Sequence, residues 1–121
     1  MKICLTARGD NLDAQLDPRF GRCEYFIFVD PDTFEFEAVR NPNTDGAGGV
    51  GIKSSQLVAN KDVQAVITGN VGPNAFQVLS ATGIEVITEL SGTVREAIER
   101  YKKGEVKPAQ TPNVETKFGL R

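Results

Sequence analysis

Residues 63–82, VQAVITGNVGPNAFQVLSAT, decide the fold class. Val63 to Thr68 is a short apolar run rich in β-branched residues, the pattern of a buried strand. Gly69, Asn70, Val71 and Gly72 then make a loop, and Pro73 stands where a first helical residue tolerates proline. Ala75, Phe76, Val78 and Leu79 fall on one side of a helix from Pro73 to Thr82, which Gly83 stops. A buried strand passing through a glycine loop into a helix is a βα unit, and such units build sheets with parallel strands.

Toward the C-terminus, Ile84 to Leu90 reads as another strand. Thr93-Val94-Arg95-Glu96 is a capping box, after which Val94, Ala97, Ile98 and Tyr101 keep helical spacing as far as Gly104. Toward the N-terminus, the glycine-rich segment Asp45 to Gly51 leads into a helix from about Val50 to Asn60. Three strands precede it. Lys2 to Arg8 is a compact apolar run, Glu24 to Asp30 (EYFIFVD) is dense in aromatic and β-branched residues, and Phe34 to Val39 (FEFEAV) alternates apolar with acidic positions. Pro31-Asp32 turns the last two into a hairpin with Phe34 to Glu37 at the sheet edge.

The order β-β-β-α-β-α-β-α predicts an α/β fold, a five-stranded mixed sheet with helices on its faces. Short connections and right-handed crossovers favour strand order 3-2-1-4-5, with strands 1, 3, 4 and 5 parallel and strand 2 reversed. Residues 1–105 should form one domain. Two prolines and mixed polar residues mark 106–121 as a loosely packed tail.

Composition narrows the function. With 121 residues, 40% hydrophobic and 25% charged, the chain suits one globular domain. No apolar run approaches the ~20 residues of a membrane span, and MKICLTAR breaks at Arg8 without a cleavage site, so a cytoplasmic location is expected. Net charge is -2 with lysine and arginine scattered, which gives no footprint for nucleic acid. Histidine is absent, and with it the usual general base, the usual zinc ligand and any Ser-His or Cys-His pair. The two cysteines, Cys4 and Cys23, are read as free thiols or ligands rather than a disulfide.

Open α/β sheets bind ligands beyond the carboxyl ends of parallel strands at a topological switch, here between strands 1 and 4. LDPRFGRCE, residues 16–24, should lie on that rim. Arg19 and Arg22 would clamp an anion or make surface salt bridges; Phe20 covers the core, and Gly21 shapes the loop. Gly69, Asn70 and Gly72, and likewise Gly48 and Gly49, precede helix N-termini that favour an anion, or simply turn tightly. Cys23, beside two arginines and helix N-termini, would have a lowered pKa and ligate a soft metal, or else is a small apolar residue at a strand start. Cys4 belongs to the core. Asp10, Asp13, Asp17 and Asp30 are read as solvated loop and turn carboxylates in preference to a two-metal site.

The stretches LDPRFGRCEYFIFVD, GAGGVGIKSSQLVANKDVQAVITGNVGPNAFQVL and SGTVREAIERYKKGE, in that order, resemble the dinitrogenase iron-molybdenum cofactor biosynthesis family over about Lys2 to Glu105. The resemblance implies a ribonuclease-H-like α/β fold. It also implies non-catalytic binding or carrying of iron-sulfur or molybdenum-sulfur clusters, with or without copper, between donor and acceptor proteins; composition adds the expectation of no nucleic acid and no membrane partner. The family often has His-Phe-Gly-Arg where this chain has Arg19-Phe20-Gly21-Arg22, and histidine in the glycine segment where this chain has Gly46 to Gly49. A histidine ligand is therefore excluded. Cys23 remains as the protein ligand, or charge and hydrogen bonds alone hold the cluster. The alternative is a module that binds a small phosphorylated metabolite or nucleotide.

Overall fold

The computed structural model describes residues 1–42 and 50–113. In chain order the elements are β1 (Ile3–Ala7), β2 (Tyr25–Val29), β3 (Phe36–Arg40), α1 (Val50–Ala59), β4 (Ala65–Ile67), α2 (Pro73–Ala81), β5 (Glu85–Ile87) and α3 (Val94–Lys102). One five-stranded sheet runs β3-β2-β1-β4-β5. β2 is antiparallel to both neighbours, and β1, β4 and β5 are mutually parallel, so the expected order and directions are those observed.

Burial explains the order. Every residue of β1 is buried, because the strand is central and both faces are covered. Alternation sends Ile3, Leu5 and Ala7 to one core, with Ile27, Ile67, Ile87 and the α3 residues Val94, Ala97 and Ile98. Cys4 joins the other, with Phe26, Phe28, Val66, Val86, Val58 of α1, and Ala75 and Leu79 of α2. Thus α1 and α2 share one face and α3 takes the other. β3, at the edge, leaves Phe36, Glu37 and Arg40 exposed.

The strands are shorter than the apolar runs that announce them. Phe34 takes a positive φ of 63° and donates its amide to Asp30, so β3 starts two residues later than the alternation suggests. After Ile87 and Thr88, Glu89 also turns left-handed and donates to Gly69, which ends the β4–β5 pairing. The capping box on α3 forms in full: Thr93 Oγ1 accepts from Glu96 N at 3.1 Å, and Glu96 Oε1 accepts from Thr93 N at 2.8 Å. Hydrogen bonds to the carboxyl from the Thr93 amide, and then from its side chain, hold Glu96 below its ordinary pKa. Beyond α3, residues 105–113 form no helix or strand. Val106 packs on the α3-side core, and Ala109 donates to Val86 O at 2.7 Å on the outer edge of β5.

Candidate functional site

The carboxyl ends of β1 and β4 carry two irregular loops, and the sequence places unusual chemistry in both. They are zipped together. Asn70 N donates to Pro18 O at 2.7 Å and Phe20 N donates to Asn70 O at 3.1 Å, a short parallel bridge between the two loops. Gly69 exists for this approach: a Cβ there would lie 2.7 Å from Pro18 Cα and 3.0 Å from Pro18 O. Beneath the bridge, Thr6 Oγ1 donates to Asp17 O at 2.7 Å and meets Thr68 Oγ1 at 2.8 Å.

The next turn of the first loop seats on the helices. Gly21 has φ 97°, and a Cβ on it would stand 3.4 Å from Gly51 Cα. A Cβ on Gly51 would in turn stand 3.5 Å from Ala75 Cβ. Small residues thereby stack the loop on the first turn of α1, and that turn on the first turn of α2. Asn41 fixes the stack by donating from Nδ2 to Gly21 O and Cys23 O, both at 2.9 Å, while Ser54 Oγ donates to Gly21 O at 3.3 Å.

Charge and donors then fall as follows. The Arg19 side chain is 44% exposed, with Nε 3.5 Å from Asp17 Oδ1, and the same carboxylate oxygen accepts from Arg19 N at 3.0 Å. Arg22 is half-buried and engaged in a contact of its own. Gly72 opens α2 without a side-chain cap, and Pro73 has no N–H to offer. The next amides, of Asn74 and Ala75, have no acceptor within the helix. The amides of Asn70 and Val71 are already spent, the second on Asn113 Oδ1 at 2.8 Å.

Arg19, Phe20, Gly21, Arg22, Gly69, Asn70 and Gly72 therefore come together on one rim, with Phe20 turned into the core against Phe26. Gly48 and Gly49 lie outside the described residues. Cys23 sits behind the rim, fully buried in the apolar cluster with Cys4. The expected lowering of its pKa is reversed: burial, then the neighbouring Asp17 charge, push the thiol well up, so it stays protonated at neutral pH. Asp17 is likewise not the solvated carboxylate expected, being 2% exposed. It turns inward because its side chain closes an Asx turn on Arg19, a signal available in the Asp-Pro-Arg triplet. Asp10 and Asp13 are exposed, Asp13 pairing with Arg95 at 3.0 Å, and Asp30 lies at the other end of the sheet. Among the described residues no group of three His, Cys, Asp or Glu side chains converges as a metal site. No helix among them is long and apolar enough to cross a membrane.

Asn41, Ser54 and Asn113 organise the rim, and no local sequence signal marked them. Each acts on residues eighteen or more positions away.

Comparison with known proteins agrees with this architecture. The orange protein of Desulfovibrio gigas, solved in its apo form, superposes with a TM-score of 0.90 at 42% identity, covering 93% of this chain and 96% of that one. A Thermotoga protein assigned to the DUF35 family matches with a TM-score of 0.80 at 34% identity over 93% of this chain and 97% of its own. An uncharacterised protein of Methanocaldococcus jannaschii is 35% identical over 109 residues, 88% of this chain and 89% of that one. With residues 1–104 matched by the family model described as dinitrogenase iron-molybdenum cofactor, the chain belongs to that family.

Proposed function

We propose that the protein binds or carries an anionic metal–sulfur cluster as cargo at the rim above β1 and β4. The observation that carries this reading is Arg19: a guanidinium half open to solvent, on backbone cross-bonded to the loop that opens α2, in a chain of this family. Cys23 does not fit a ligand's role as it stands, because its side chain is buried in the apolar cluster behind the rim, away from a guest at the surface. The arrangement fits holding by charge and hydrogen bonds. Arg19 and Arg22 supply positive charge, and the Asn74 amide, in the exposed part of the first turn of α2, supplies a donor under a favourable helix dipole. Resident iron–sulfur clusters are caged by four thiolates. A guest held without such a cage exchanges readily, as delivery between donor and acceptor proteins requires. The role needs no bond-making step by the protein.

The same donors would suit a phosphorylated metabolite, and one experiment separates the two. Protein is incubated anaerobically with tetrathiomolybdate, with and without copper, or with an iron–sulfur donor, then gel-filtered and assayed for metal; phosphate and nucleotides are screened in parallel by thermal shift. The cargo reading predicts near-stoichiometric metal that declines as salt is raised, and no nucleotide shift. No metal from any donor, with a clear shift by a phosphorylated compound, would replace it.

A further inference from the structure

The matched family region ends at residue 104, yet the chain goes on along the outer edge of β5 and returns to the rim. Its return point is Asn113. The backbone of Asn113 donates to Val71 O at 3.2 Å, and Oδ1 accepts from Val71 N at 2.8 Å. Nδ2 donates to Gly69 O at 3.2 Å and to Asn70 Oδ1 at 3.1 Å. One side chain thus reads three consecutive residues of the β4–α2 loop.

The bond to Asn70 has a consequence for the arginine. A carboxamide whose oxygen is engaged by Asn113 must turn its nitrogen the other way, and Asn70 Nδ2 donates to Pro18 O at 3.1 Å. Pro18 O also accepts the Asn70 backbone amide, and the next residue is Arg19. The path Asn113–Asn70–Pro18–Arg19 runs from the C-terminal strap to the rim's exposed cation. We infer that Asn113 is a positioning residue of the cargo site, and that the strap 105–113 is part of the binding apparatus. It acts through Asn70 and need not touch the cargo. Without Asn113, Asn70 Oδ1 loses the partner that orients the carboxamide, Val71 N loses its acceptor, and the Asn70 Nδ2 bond to Pro18 O, beside Arg19, is less firmly held. This inference rests on the reading of the rim as the cargo site.

The test is a pair of ¹⁵N-labelled variants, Asn113→Ala and Asn113→Asp, compared with wild type before and during titration with tetrathiomolybdate. Aspartate keeps an acceptor for Val71 N but has no N–H for Gly69 O or Asn70 Oδ1. In unliganded spectra both variants should move the Asn70 side-chain and Arg19 amide resonances while the β1 and α3 resonances stay in place. Asn113→Ala should bind about fivefold more weakly, the worth of one net hydrogen bond. Unmoved Asn70 and Arg19 resonances would overturn the inference, as would wild-type or tighter binding by Asn113→Ala. Absence of binding by the wild type would remove the cargo reading itself, and the inference with it, whereas equal binding by wild type and Asn113→Ala removes the inference alone.

Discussion

The two ends of the sheet are closed in opposite ways. At the β2–β3 end, the turn satisfies itself: Asp30 Oδ1 accepts from Asp32 N at 2.8 Å and Thr33 N at 3.4 Å, and Phe34 N returns to Asp30 O at 2.8 Å. These bonds span at most four residues, and the closing bond from Asp30 N to Glu35 O, at 2.9 Å, spans five. At the β1–β4 end, Thr6 meets Thr68, Pro18 meets Asn70, Asn41 meets Gly21, and Asn113 meets Val71. A turn closed locally can be exchanged for another without disturbing the sheet. A rim closed at long range holds its side chains at fixed separations, which is what a binding site needs and a turn does not.

The comparison can be broken hardest at Gly69. Gly69→Ala drives a Cβ into Pro18 backbone, and a loss of about 2–3 kcal/mol is expected in denaturant unfolding. A loss below about 0.5 kcal/mol would show that the two loops are not tightly zipped. Asn41→Ala comes next. It strips donors from two buried carbonyls and should cost about 2 kcal/mol. At the other end, Thr33→Ala should change stability by less than about 0.5 kcal/mol, since only the exposed bond to Glu35 N is lost.

Acid sharpens the contrast. The Asp30 carboxyl is held below its ordinary pKa, first by the Asp32 amide and then by that of Thr33. A depressed folded pKa adds stability above the unfolded value of about 4, and that stability is lost as pH falls through the folded value. Asp30→Asn keeps the turn's acceptor without the titration. The stability gap between wild type and Asp30→Asn should therefore narrow below about pH 4 and stay flat at neutral pH. A gap that widened on acidification would contradict the assignment.

This local-versus-distant split also decides what sequence could reveal. The βα unit at 63–82, the capping box at Thr93 and the hairpin at Pro31 are written in neighbouring residues, and each is present in the structure. The strand order followed from connection rules. Arg19 and Asn70 were legible as rim residues because they stand in loops that topology sends to one edge. Asn41, Ser54 and Asn113 were not, because an asparagine or serine in a loop or helix looks the same whether it faces water or clamps a carbonyl 20 to 44 residues away. Cys23 misled for a related reason: flanking arginines suggest a thiolate, but the chain turns its side chain inward and leaves the Arg19 guanidinium half open to solvent.

The central claim is that the rim holds its guest by charge and hydrogen bonds and not by a thiolate. Cys23→Ala and Arg19→Ala, each loaded anaerobically and gel-filtered beside wild type, test it most directly by metal retained per folded protein. Cys23→Ala removes one buried sulfur at a cost of about 1 kcal/mol, so the domain should stay folded. The account predicts that Cys23→Ala retains metal as wild type does and that Arg19→Ala loses most of it. Retention lost with Cys23 and kept without Arg19 would contradict it, and would mean that the buried thiol emerges to ligate.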